Sequence, residues 1–141
     1  MAIRTVLLGQ YTDPPWHPLD AVEGEIVAAL GADFDVVCTE DMDALTAGRL
    51  ANIDLIISYT DCWGKQASPE QSGGLLGYVS GGGSLLVIHC GISLQGSYEL
   101  LHLLGAKFTG HPPYRTLHVD IADSGHAIVD GLEPFAIKDE P

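Results

Sequence analysis

The chain alternates short aliphatic runs with stretches of helical periodicity, and this alternation constrains its fold more than any other feature. Runs rich in valine, leucine and isoleucine predict strands at residues 5–8, 34–39, 55–59 and 85–89. Strands that alternate with helices are typical of parallel β-α-β units. The first, third and fourth runs are almost continuously aliphatic, which indicates strands covered on both faces. The sequence therefore predicts an α/β fold in three layers, α/β/α, with a mostly parallel sheet.

Helix signals fill the intervals between the runs, at residues 20–30, 43–51, 68–81 and 94–104. The third begins with Ser68-Pro69-Glu70, which supplies an N-cap, a proline at the first helical position and an acid in the first turn. Two further strands are predicted at residues 115–121 and 135–137. We expect one domain over residues 1–141 that is C-terminally incomplete, because its last strand has barely begun when the sequence ends.

The charge balance argues against two classes of partner. The chain has 19 acidic and 6 basic residues, a formal net charge of −13, and no basic cluster that could neutralise a run of phosphates. No apolar run approaches the roughly 20 residues that cross a bilayer. We therefore expect neither nucleic acid nor a membrane as partner.

The number and spacing of the cysteines indicate the cellular compartment of the protein. Cys38, Cys62 and Cys90 are odd in number and lack CxxC spacing, so they predict neither a disulfide framework nor a zinc ribbon. The first aliphatic run is followed by a proline-rich loop rather than by a cleavage site. These features predict a cytoplasmic location.

Chemistry-bearing residues collect in the loops that follow the predicted strands. In open α/β sheets, ligands bind outside the carboxyl ends of the strands. The helix-to-strand loops contain mostly glycine, alanine and aspartate. This asymmetry predicts a polar, aromatic-lined cleft for a small molecule. The loop residues are Tyr11, Asp13, Trp16 and His17, then Asp61, Cys62 and Trp63, then His89, Cys90 and Ser93, and finally His111 and Tyr114.

One segment has the context of a nucleophile elbow. An aliphatic strand runs into His89, Cys90 and Gly91, and a helix is predicted to follow. A helix N-terminus favours the thiolate of a cysteine placed there, so Cys90 is a candidate nucleophile. The full G-x-C-x-G pattern is absent, and a buried cysteine packed at a turn is the competing interpretation.

A nucleophile needs a base, and spacing does not choose among His89, His111, His118 and His126. His118 lies in a predicted strand and His102 in a predicted helix, where structural roles are the simpler interpretation. The histidines and aspartates offer metal-ligand chemistry, but no HxH or HExxH spacing occurs, so we assign no metal ligands and name no cofactor. The glycines at 81–83 lack the Lys-Ser/Thr of a phosphate-binding loop.

Two segments resemble the ThuA-like family of trehalose utilisation, and the match covers nearly the whole chain. The first is GGGSLLVIHCG, and the second is LLGAKFTGHPPYRTLHVDIADSGHAIVDGLEPFAIKDE. The second carries Gly110-His111-Pro112, His126 and Gly131-Leu132 in the order and spacing of the family, followed by Asp139-Glu140.

The resemblance implies a flavodoxin-like, class I glutamine amidotransferase-like fold and a role in bacterial sugar utilisation, linked to trehalose and keto-sugars. Glutaminase activity is not implied, because the family generally lacks the amidotransferase triad. Members usually continue past the Asp-Glu motif, so this chain is short for the family. The residues that the resemblance carries over are His89, His111 and His126, with Asp139, Glu140 and His17 matched less closely.

Three functions stay open. The leading one is a protein that binds or processes a carbohydrate or keto-sugar, with aromatic rings for stacking and histidines and acids for proton transfer. The second is a hydrolase or amidotransferase-like enzyme with Cys90 as nucleophile and His126 or His111 as base. The third is a non-catalytic scaffold domain. A second copy that completes the sheet would make the protein a homodimer, which we also expect.

Overall fold

Four parallel strands organise residues 1–108, the larger of two compact units; the smaller is residues 109–141. The computed structural model describes residues 1–12, 14 and 16–139. The sheet has the order β2-β1-β3-β4, in which β1 lies between β2 and β3. The predicted parallel sheet is confirmed, and its strands are β1 (Ile3–Gly9), β2 (Phe34–Thr39), β3 (Leu55–Tyr59) and β4 (Ser84–Val87).

The fourth strand ends earlier than predicted. The aliphatic run predicts a strand to residue 89, but β4 stops at Val87 and a 3-10 helix covers His89–Gly96. Glycines at positions 91 and 96 weaken a regular α-helix here, and Ser97 adopts extended backbone before the next helix begins. The predicted helix at 94–104 is therefore wrong in its first part.

The α-helices are shorter than the patterns predict. The third is confirmed at both ends, because Ser68 and Gln71 form a capping box and Gly81 follows the last turn. The first two lose their opening turns to 3-10 helices at Leu19–Ala21 and Met42–Leu45. The α-helices are α1 (Glu23–Leu30), α2 (Ala47–Leu50), α3 (Pro69–Ser80) and α4 (Tyr98–Leu104).

Helices cover both faces of the sheet, which confirms the three-layer prediction. On one face, Leu7 and Ile57 pack with Val22, Ile26 and Leu30 in and beside α1. On the other, buried residues of β1 and β3 pack with apolar side chains of α2, α3 and α4. Each fully buried leucine or isoleucine contributes about 1.5–3 kcal/mol. The two apolar clusters hold the ends of the strands, and the loops that follow them, in fixed positions.

Residues 109–141 contain an antiparallel pair, β5 (Arg115–Val119) and β6 (Phe135–Asp139). Leu117 lies opposite Ile137 in the register. A 3-10 helix, Ala127–Val129, precedes β6, and His126 caps it by accepting a hydrogen bond from the amide of Ile128. Both predicted strands exist here, and they pair with each other.

Candidate functional site

The strand order creates a crevice at the carboxyl end of the sheet. The chain leaves β1 toward β2 on one side, and β3 lies on the other side of β1. Loops on the two sides of such a switch point diverge, and ligands of open α/β sheets bind between them. The loops that follow β1, β3 and β4 supply His17, Asp61 and His89. The structure brings these three predicted residues together.

Asp61 is the fixed point of this cluster. Its side chain is fully buried, and its Oδ2 accepts hydrogen bonds from the amides of Trp16 and His17 at 2.7 and 2.6 Å. Its own amide donates to the side-chain carbonyl of Gln10. A buried carboxylate is costly unless hydrogen bonds compensate it, and here backbone amides do so. Asp61 therefore holds the β1 loop against the end of β3.

The same loop is anchored at its outer side by Glu40, just after β2. The Glu40 carboxylate accepts from the amides of Tyr11 and Thr12 and from the hydroxyl of Thr12, at 2.9, 2.7 and 2.9 Å. These bonds, those from Thr12 first, lower the pKa of Glu40. Sequence reasoning missed Glu40 and Gln10, because neither belongs to a recognisable motif.

His17 faces the second oxygen of Asp61. Its Nδ1 lies 3.5 Å from Asp61 Oδ1. Within the described part of the chain, neither atom has a hydrogen-bond partner. We assign the Nδ1 proton to His17, because a carboxylate favours a proton on the nitrogen that faces it. The Nε2 atom of neutral His17 then carries a lone pair and accepts hydrogen bonds.

The Nε2 atom of His89 faces the lone pair of His17. The Nε2 atoms of His89 and His17 are 3.0 Å apart, and the ring centroids lie 4.7 Å apart at 78°. One proton must lie between these nitrogens, and by the assignment above His89 donates it. The result is a chain of three groups, Asp61, His17 and His89, which we call the relay. The hydrogen bond between the two rings is a path for a proton, and the Asp61 carboxylate lies 3.5 Å behind the His17 ring as a counter-charge.

The elbow residue is His89 and not Cys90. His89 has φ 47°, and no other non-glycine residue in the described ranges has positive φ. Such backbone costs energy and is found at strand-to-helix turns that present a functional side chain. The strand-to-helix turn at this place, which we call the elbow, therefore has its positive φ at His89, one position before Cys90.

Cys90 points into the core. Its side chain is 2% exposed and its thiol donates to the carbonyl of Tyr59, at 3.4 Å. Burial first, and then the charge of Asp61, raises the pKa of Cys90 to about 12. A stabilised thiolate, as the sequence suggested, would have a lowered pKa, whereas the pKa of Cys90 is raised. These observations favour the packed-cysteine interpretation over a nucleophile.

The aromatic residues of the predicted cleft fall into different environments. Trp16 is 70% exposed beside His17. Trp63 packs against Phe108, with ring centroids 5.1 Å apart, and Gln95 holds the Phe108 backbone through its amide and carbonyl. The hydroxyl of Tyr11 donates to Glu23, and burial and that contact raise the Tyr11 pKa. Trp16 therefore presents an open ring surface, whereas the Trp63 ring is packed against Phe108 and the Tyr11 hydroxyl is already engaged.

A family model for ThuA, trehalose utilisation, matches residues 11–141. The chain belongs to the ThuA family. A crystal structure of a ThuA-like protein from Bacteroides uniformis superposes with a TM-score of 0.74 at 14% identity, covering 98% of this chain. The chain spans 59% of the length of that protein. No curated protein matches it. The predicted family is thus confirmed, and so is the predicted α/β fold, whose mostly parallel sheet is consistent with a flavodoxin-like or amidotransferase-like arrangement.

The other ThuA residues singled out from the sequence lie in residues 109–141. His111, Tyr114 and His126 are exposed there, and the His126 ring caps a 3-10 helix. Asp139 ends β6 and lies opposite Arg115 in the register. Their roles stay predictions. The predictions for Asp13 and Glu140 fall outside the described residues.

Over residues 1–12, 14 and 16–139, no group of three or more histidine, cysteine or carboxylate side chains is placed to share a metal ion. In the same ranges no helix has the length and apolar character needed to cross a membrane.

Proposed function

We propose that this ThuA protein binds a carbohydrate that carries a carbonyl group, such as a keto-sugar, and moves a proton on it. The single observation that carries the proposal is the 3.0 Å contact between His89 and His17, with the buried Asp61 behind it. Proton transfer next to a carbonyl needs a base near neutrality and a place to store the proton, and histidine suits both tasks.

The step runs from the exposed end of the relay inward. The second ring nitrogen of His89, Nδ1, takes a proton from the carbon next to the carbonyl, and the electron pair of the C–H bond forms the enolate. His89 passes its Nε2 proton to His17 Nε2. The resulting His17 cation is stabilised by the Asp61 carboxylate, and return of a proton to the same carbon by the reverse route restores the C–H bond and the carbonyl sugar, with this hydrogen exchanged for one from solvent. Apart from this exchange, no atom or electron is gained from elsewhere.

Two observations support a sugar as the ligand. The family to which the chain belongs is that of trehalose utilisation. Trp16, at 70% exposure, offers a flat apolar surface beside His17, and sugar rings present matching apolar faces. The net charge of −13 favours an uncharged ligand over a phosphorylated one.

The test is deuterium exchange at the carbon next to the carbonyl, followed by NMR with keto-derivatives of trehalose and of simpler sugars. The wild type should exchange this position, and His89→Gln should lower the rate by at least about 100-fold, since a general base contributes roughly 10²–10⁴. His102→Gln on α4 is the matched control, because His102 is an exposed helical histidine. Equal rates for the two variants would refute the proposal.

We further propose a cytoplasmic location and a small-molecule partner. Cys38, Cys62 and Cys90 are all free, which supports a reducing compartment. The predicted homodimer is tested by light scattering, where a monomeric mass would contradict it.

A further inference from the structure

A buried hydroxyl joins the two loops that carry Asp61 and His89. Ser93 lies on the 3-10 helix His89–Gly96 and is 1% exposed. Its Oγ donates to the carbonyl of Thr60 at 2.9 Å and accepts from the amide of Cys62 at 3.0 Å. Ser93 therefore bonds to the residues on both sides of Asp61.

The hydroxyls of β3 and its end extend this connection. Thr60 Oγ1 lies 3.1 Å from both Ser93 Oγ and Ser58 Oγ. Ser58 and Thr60 each donate toward the carbonyl of Gly91, at 3.2 and 3.3 Å. A β-carbon at Gly91 would lie 2.0 Å from the carbonyl oxygen of Ser58, so the elbow rests directly on β3. The elbow and the Asp61 loop form one hydrogen-bonded body.

This connection fixes the two distances on which the relay depends. His17 lies between Asp61 and His89, with 3.5 Å on one side and 3.0 Å on the other. If the elbow shifts relative to Asp61, at least one of these contacts lengthens. A neutral hydrogen bond weakens steeply as it lengthens and bends, so a small shift is enough to interrupt proton transfer.

We propose that Ser93 is a positioning residue for the relay. Its hydroxyl holds Asp61 and His89 at the separation that His17 can bridge, without touching the substrate. The inference rests on the proposed function for its catalytic consequence, whereas the geometry it concerns can be measured without any substrate.

Ser97 provides a matched control. It is also buried, at 2%, and its hydroxyl accepts from the amide of Ala67 at 2.7 Å, thirty residues away. Ser97→Ala thus removes a hydrogen bond of the same kind between neighbouring loops, but not one that flanks Asp61. We expect both variants to have a lower melting temperature, and Ser93→Ala the lower of the two, because Ser93 also donates to the Thr60 carbonyl.

The first measurement is the scalar coupling between the two histidine Nε2 nuclei in ¹⁵N-labelled protein, which exists only across an intact N–H···N hydrogen bond. We expect this coupling in the wild type and in Ser97→Ala, and its loss in Ser93→Ala. Should Ser93→Ala fail to fold, Ser93→Cys replaces it, because the thiol keeps the shape and weakens the hydrogen bonds. A coupling that persists in the folded Ser93 variant overturns the inference.

The second measurement is exchange kinetics on the keto-sugar. Ser93→Ala should lower kcat by about 10- to 100-fold with little change in KM, since misplacement by about 1 Å can cost 10²-fold. Ser97→Ala should stay within about twofold of the wild type. Equal losses in both variants overturn the positioning role. If the wild type shows no exchange with any sugar, the proposed function fails, and the coupling experiment still decides the role of Ser93.

Discussion

Strand β3 has an aspartate at each end, and the two differ in exposure and in partner. Asp54, at the start, is 43% exposed and pairs with Arg4 through two hydrogen bonds of 2.9 and 3.0 Å. Asp61, beyond the other end, is fully buried and faces His17. Arginine stays protonated, whereas histidine exchanges its proton near neutral pH. The two carboxylates have the same chemistry, but the partner of Asp54 is a permanently charged cation, whereas the partner of Asp61 is an imidazole, which can accept and donate a proton.

The two aspartates also differ in the residues that surround them. Near Asp54, at the end where the strands begin, a groove of about 530 Å³ is lined mainly by glycine, alanine and leucine. Near Asp61, His89 and the ring of Trp16 are exposed and His17 is half-buried. The groove at the Asp54 end is lined by one carboxylate and one tyrosine among small and aliphatic residues, whereas the Asp61 end brings a carboxylate and two histidines together.

The largest expected effect comes from exchanging each aspartate for its amide. Asp61→Asn should lower proton exchange on the keto-sugar by at least about 100-fold, since an amide group cannot hold the His17 tautomer as a carboxylate does. Asp54→Asn removes an exposed ion pair and should leave the rate within about twofold. The rates are measured on folded protein, checked by circular dichroism. Similar rates for both variants would remove the distinction between the two ends.

The next largest effect concerns two glycines, one near each end of the sheet. Gly91→Ala places a β-carbon 2.0 Å from the Ser58 carbonyl and should lower the free energy of unfolding by about 3 kcal/mol. In α3, a β-carbon at Gly77 meets nothing within 4 Å. Gly77→Ala should therefore raise the free energy of unfolding by about 0.5–1 kcal/mol. Urea denaturation measures both. A tolerated alanine at 91 would contradict the close contact between elbow and strand.

A smaller effect is expected at high pH from Cys90. Its pKa is raised from 9.0 to about 12 in the folded chain, so the unfolded chain loses the thiol proton first. The thiol contributes stability below pH 9 and loses that contribution as the pH rises toward 12. At pH 8, Cys90 should resist iodoacetamide in the native protein and react in urea. Mass spectrometry of the labelled peptide measures this, and fast native labelling would return Cys90 to the list of candidate nucleophiles.

The smallest effect is at low pH and concerns Asp54. The hydrogen bonds from Arg4 lower its pKa from 3.8 to about 2. The pair therefore stabilises the fold above pH 3.8 and loses its effect as the pH falls through about 2. Asp54→Asn should make the stability of the fold slightly less dependent on pH in this acid range. The effect is small because the pair is exposed to solvent. Acid titration followed by circular dichroism compares the variant with the wild type.

Local patterns predicted the elements well where burial determines them. The run at residues 55–59 is apolar enough to be a strand in any α/β fold, and Ser68 begins α3 because its cap satisfies local amides. His89 was harder to predict, because a histidine has no preference for the positive φ that it adopts beside the close contact of Gly91 with β3. A sequence pattern carries no sign of that contact.

The relay could be predicted only as a set of candidates. His17 and Asp61 are 44 residues apart in the chain, and the contact depends on Asp61 accepting two backbone amides, which side-chain types do not reveal. Ser58 and Thr60 offered a signal that was overlooked. Hydroxyl residues at the end of an otherwise aliphatic strand indicate that something polar packs there.

The two oxygens of Asp61 have separate tasks: one gathers the amides of the β1 loop and the other faces His17. Loop order and proton chemistry therefore depend on a single side chain. During sequence divergence, a relative that replaces this aspartate loses the shape of its binding loop together with its base. Among ThuA proteins, an aspartate at this position should accompany a histidine at position 17, and the two should disappear together.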